Sequence, residues 1–167
     1  MKFTHAHRFA ATVEAVTAML ADESFAHARA RSSGAETIDA VVDGDATGEF
    51  TVFIRRVVPA RTIPSEFRSL VGDTLDVKYT EAWEAPGEAE RVGTFAVEIA
   101  GAPVRVAGAL ELKDADGGTE FFAAGQATAP VPLFGAIIEK SVTDAVVSAF
   151  KDELTRGDRW LAGETSL

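Results

Sequence analysis

Few residues in this chain have the type and spacing to do chemistry. Glu81 falls between Tyr79 and Trp83, in a stretch from Thr74 to Glu84 that alternates apolar and polar side chains. If the alternation holds, its carboxylate points to the apolar face. Burial there would raise its pKa and suit it to act as a general base or a ligand anchor. A local bulge that turns Glu81 to solvent, or an arginine partner, is the preferred reading. Arg56 follows Phe50, Val52 and Ile54 in phase. It could pair with Glu81 or hold a ligand carboxylate, although its place near a strand end also lets it reach water. His5 and His7 share a strand face, a spacing that suits a metal ion. The remaining histidine, His27, has no matching spacing. A carboxylate would have to complete the set, so no metal and no cofactor is expected. Ser141 and Ser148 have no histidine beside them, so a serine triad has no support. There is no Gly-rich phosphate loop, nucleophile elbow or zinc motif.

Composition narrows the classes further. The 167 residues suffice for one domain with a sizeable core, and a single domain over 1–167 is expected. A hydrophobic fraction of 47% and a charged fraction of 25% suit a soluble globule. The net charge of −10 argues against nucleic acid and anionic membrane surfaces as partners. The chain has no cysteine, which excludes disulfides and thiolate chemistry. No apolar run reaches the ~18 residues of a spanning helix, and the N-terminus lacks the apolar core of a signal peptide. No stable membrane insertion and a cytoplasmic location are expected.

The elements that must position these residues follow from periodicity. Lys2 to Phe9 alternates as a strand. Two short helices follow, with Thr12 and Asp22 as N-caps; the second runs to about Arg31 and ends at Ser32-Ser33-Gly34. Strands are then predicted at Glu36–Asp43, Gly48–Val58, Thr74–Glu84, Arg91–Ala100, Val104–Leu112 and Thr119–Thr128. A short helical insert is predicted within Arg61–Gly72, closed by the glycine. Tight turns between consecutive strands make them antiparallel neighbours.

From Pro132 to about Trp160, apolar residues recur at Phe134, Ile137, Ile138, Val142, Ala145, Val146, Ala149, Phe150 and Leu154. Steps of three and four mark one face of a helix roughly 40 Å long, possible loosening at Gly157 aside. A seven-stranded antiparallel sheet with one apolar face needs a cover, and this helix is the only element long enough. The class is α+β.

This order of elements, one strand, two short helices, six strands and a long helix, resembles the START-like, birch-pollen-allergen-like superfamily (SRPBCC) and its helix-grip fold. Within it, Ile63-Pro-Ser-Glu-Phe-Arg-Ser-Leu-Val-Gly72, the strand ending Glu81-Ala-Trp83, and Val131-Pro-Leu-Phe-Gly-Ala-Ile-Ile-Glu139 are similar to a bacterial family of unknown function. The resemblance implies an apolar cavity between sheet and long helix, and a hydrophobic, lipid-like or polyketide-like small molecule as partner. The expected lining is Phe134, Ile138, Val142 and Val146 from the helix. From the sheet it is Phe50, Val52, Tyr79, Glu81, Trp83, Phe95, Val97, Val106, Leu110 and Phe122; of Phe121 and Phe122 one must point away. The alternatives are a cyclase or hydrolase acting in the same cavity, with Glu81, Tyr79, Arg56 or a histidine, and a protein-interaction domain with a filled core. The fold alone does not choose among them.

Overall fold

The structure, a computed structural model, describes residues 1–62, 68, 72–88 and 90–167. Its elements are β1 (Lys2–Phe9), α1 (Val13–Leu20), α2 (Glu23–Ala30), β2 (Thr37–Gly44), β3 (Phe50–Pro59), β4 (Thr74–Trp83), β5 (Glu90–Ile99), β6 (Arg105–Ala115), β7 (Gly118–Thr128) and α3 (Gly135–Leu161). Thr12 caps α1, its Oγ1 accepting from the Ala15 N–H at 3.2 Å, and Asp22 caps α2, accepting from the Ser24 N–H at 2.8 Å. A 3-10 turn, Arg31–Ser33, ends at Gly34 with φ 66°. The insert predicted within Arg61–Gly72 lies outside the described residues, apart from a 3-10 turn at Ala60–Thr62 and the two residues Arg68 and Gly72.

The sheet order is β1-β7-β6-β5-β4-β3-β2, and every described pair is antiparallel. Opposed residues share a face, so the register defines rows across the concave side. One row runs Val42, Val52, Glu81, Phe95, Gly108, Gly125, Phe3. Its two glycines make room for the rings of Phe3 and Phe95. A Cβ on Gly108 would stand 2.6 Å from Phe95 Cε1, and one on Gly125 would stand 2.6 Å from Phe3 Cζ.

Phe121 is the inward member of its pair. It opposes Leu112 and His7 and is buried, whereas Phe122 opposes Glu111 and Ala6 on the convex side. The expectation that Phe122 lines the interior is therefore corrected, because the side-chain period of two lets only one of the adjacent rings face in.

The long helix α3 packs along β1 and β7 and against α1 and α2. It runs unbroken through Gly157, which is buried; a Cβ there would come within 3.0 Å of Phe9 Cε1 and 3.1 Å of Met19 Cε. That glycine permits close packing rather than loosening the helix. The helix begins later than expected. Leu133 takes φ 66°, and Phe134 is the N-cap residue, half exposed, so the apolar stripe does not extend back to it. Gly135 then passes so close to the residue that follows β7 that a Cβ would lie 2.5 Å from the Ala129 carbonyl oxygen.

Candidate functional site

Glu81 faces inward because β4 runs in continuous register with β3 and β5; no bulge interrupts it. The expected turn to solvent does not occur, and the carboxylate is 0% exposed. An arginine does neutralise it, but from α2: Arg29 Nη2 donates to Glu81 Oε2 at 2.9 Å. The Tyr79 hydroxyl donates to the same oxygen at 2.7 Å, and Trp83 Nε1 donates to Oε1 at 2.6 Å. Arg56 does not pair with Glu81. Its Nη2 donates to Oε1 of Glu153 on α3 at 2.6 Å. The second Glu153 oxygen lies 3.8 Å from Arg29 Nε. Two arginines and two glutamates thus form a neutral chain that ties α2, α3, β3 and β4 together inside the protein, with Arg29 3%, Arg56 8% and Glu153 5% exposed.

Burying ions is costly unless each is paired and hydrogen-bonded. Burial disfavours the Arg29 charge, but Glu81, Tyr79 and Glu153 outweigh it and hold the guanidinium above its ordinary pKa. The Tyr79 hydroxyl is pushed well above its usual value, by burial first and by the Glu81 carboxylate second. The Arg29 guanidinium also lies 5.3 Å from the centroid of the Tyr79 ring.

Phe150 joins this polar chain to an aromatic one. Its ring stands 5.2 Å from Phe95, 6.0 Å from Phe121 and 6.4 Å from Tyr79, and stacks on His5 at 6.2 Å. Trp83 meets both Phe50 and Phe121 at 6.4 Å.

Of the expected lining residues, Phe50, Val52, Trp83, Phe95, Val97, Val106 and Leu110 are buried in the core together with Glu81. Tyr79, Ile138, Val142 and Val146 are only partly buried. So are Ile38, Val77 and Ile99, which face inward in the row that holds Arg56. Phe134 lies outside the enclosed set, for the reason given above. His7 Nε2 approaches Asp158 Oδ2 at 3.0 Å without hydrogen-bond alignment. Among the described residues no three His, Asp or Glu side chains are placed to hold a metal ion, and no helix is long and apolar enough to cross a membrane.

Sequence reasoning misses Arg29 and Glu153. Glu153 has a legible signal, since it falls in phase with Val142, Val146 and Ala149 on the apolar stripe of α3. Arg29 stands among Ala26, Ala28 and Ala30, one turn after Phe25, on a helix too short for a clear face.

A curved antiparallel sheet gripping one long C-terminal helix, with two short helices after the first strand, is the START-like, Bet v 1-like helix-grip fold. The chain belongs to the family described as Protein of unknown function (DUF2505), whose model matches residues 4–161. No curated protein matches it in sequence. Among solved structures it is similar to TTHA0849 from Thermus thermophilus, with TM-score 0.64, 13% identity and 97% of both chains covered. It is also similar to Ara h 8.0201, with TM-score 0.56 and 14% identity over 98% of this chain and 99% of that one. Norcoclaurine synthase from Thalictrum flavum gives TM-score 0.55 and 13% identity over 93% of this chain and 84% of that one. At these identities the likeness is one of fold.

Proposed function

We propose that this chain binds a hydrophobic small molecule, lipid-like or polyketide-like, between α3 and the concave face of the sheet. One observation carries the reading. Apolar side chains that face inward at Ile38, Val77, Tyr79 and Ile99, and along α3 at Ile138, Val142 and Val146, remain partly exposed. Inward apolar surface that the protein does not itself cover is the usual character of a small-molecule site. The fold supports the same reading. Glu81 favours binding over catalysis, because its carboxylate is wholly enclosed by protein and already accepts three hydrogen bonds.

The test is titration with a neutral hydrophobic dye, paired with thermal melts. Val142→Trp is expected to block the dye and leave the fold intact. Ile138→Ala is expected to cost well below the ~2–5 kcal/mol of a packed Ile→Ala change, since a side chain beside open space has fewer contacts to lose. If Val142→Trp unfolds the protein and Ile138→Ala costs the full amount, the interior is solid there and the proposal fails.

A further inference from the structure

We propose that the polar end of the bound molecule is an uncharged hydrogen-bond acceptor, such as the carbonyl of a ketone or ester, held by spare N–H groups of Arg56 and Arg29. This rests on the binding site just proposed and adds the chemistry of its ligand. A guanidinium offers five N–H donors and no acceptor. Arg56 gives its Nη2 to Glu153, and Arg29 gives its Nη2 to Glu81. The Nε atoms of both are buried without a hydrogen-bond partner. The nearest carboxylate oxygen to Arg29 Nε, on Glu153, is 3.8 Å away, too far for a hydrogen bond. Buried donors left unpaired are rare and call for an acceptor.

Arg56 itself borders the partly exposed side chains. Ile38 and Val77 oppose it in register, and Tyr79 opposes its strand neighbour Ile54; Ile38, Val77 and Tyr79 are all partly exposed apolar or aromatic surface. A molecule with an apolar body lying along them would bring its polar end to Arg56.

The rest of the cluster decides the kind of polar end. The Tyr79 hydroxyl and the Trp83 indole N–H are already spent on Glu81, whose carboxylate accepts three hydrogen bonds in all. The guanidinium groups therefore have donors to spare, and a ligand acceptor fits them. The charges of Arg29, Arg56, Glu81 and Glu153 already cancel. An anionic head group would leave an uncompensated negative charge in a buried setting, which a carbonyl avoids.

The experiment is displacement of the neutral dye Nile red at neutral pH by four molecules of matched chain length: methyl undecyl ketone, its secondary alcohol, tridecanoate and tridecane. The ketone is expected to displace the dye at about tenfold lower concentration than tridecanoate and tridecane, the worth of roughly one hydrogen bond to a charged donor, with the alcohol, itself an acceptor, close to the ketone. Arg56→Met is expected to erase that preference while Nile red still binds. The double variant Arg56→Met, Glu153→Met removes the pair together and guards against loss of fold from a stranded carboxylate; it should behave alike. Tridecanoate or tridecane matching or beating the ketone overturns the inference. So does a ketone preference that survives both variants. In either case dye binding blocked by Val142→Trp leaves the proposed function standing. Failure of Nile red itself to bind removes both.

Discussion

The interior has two unlike regions. Toward α1 and α2, Phe9, Val16, Leu20, Phe25, Phe50, Trp83, Leu110, Leu112 and Phe121 are all within 2% of complete burial. Beside the polar chain and along the first half of α3, the inward side chains Ile38, Val77, Tyr79, Ile99, Val142 and Val146 keep part of their surface free. Both regions lie on the same curved sheet and under the same helix, so secondary structure does not separate them. The difference lies in what fills the space. Two short helices add a second layer at one end, and Gly157 lets α3 close onto Phe9 and Met19 there. At the other end no described helix adds that layer. Phe150 and the chain from Arg56 through Glu153 and Arg29 to Glu81 mark the border. A polar network at the edge of a packed core can fix one arrangement of elements where apolar contact alone would allow several.

The largest effect should come from breaking that border. Arg29→Met strands Glu81 and removes a partner of Glu153, and is expected to cost about 3–5 kcal/mol in denaturant unfolding. Adding Glu81→Met should recover most of the loss, since replacing both ions by apolar groups is often close to neutral. If the double variant is no better than the single, the pair is not what holds α2 to the sheet.

Much of this division is readable in the residues, and some is hidden for physical reasons. Period-two alternation places Val52, Glu81 and Phe95 on one face, and the register joins them in one row. Capping chemistry gives Thr12 and Asp22 their places. Adjacent aromatics defeat alternation, because either phase puts a ring inside, and so periodicity interchanges Phe121 and Phe122. It also sets the start of α3 too early, because a proline-rich lead-in resembles a helix start; in fact Leu133, 94% exposed with left-handed φ, turns the chain before the helix begins. The partners of Glu81 and Arg56 are beyond its reach. They come from helices far away in sequence, and which arginine meets which glutamate depends on how α2 and α3 cross the sheet.

A smaller effect isolates the contrast with identical chemistry. Val52 is wholly buried, and Val146 is partly so. Each loses the same atoms on mutation to alanine. Val52→Ala should cost about 2 kcal/mol, combining transfer and cavity terms, and Val146→Ala under about 1 kcal/mol. Equal losses in chemical denaturation would mean that the interior is uniformly packed and that the two regions are one.

The smallest expected effect lies on β1, where the border meets α3. His5 faces inward, stacks on Phe150, and has a buried Nε2 with no hydrogen-bond partner. Burial first, then the charges of His7 and Lys151, hold its pKa below 6.5. The sign follows from linkage. In the unfolded chain His5 takes a proton near pH 6.5, while in the fold it stays neutral to lower pH. The unfolded state then binds more protons, so stability falls as pH drops through that window and levels off once the folded residue also titrates. His5→Phe keeps a ring against Phe150 and removes the proton. Its melting temperature should therefore vary less than that of the wild type between neutral pH and about pH 5, above the range where most carboxylates titrate. If the two proteins lose stability in parallel over that range, His5 is solvated in the fold. The accessible region would then reach past Phe150 to β1, further than the partly exposed side chains now mark it.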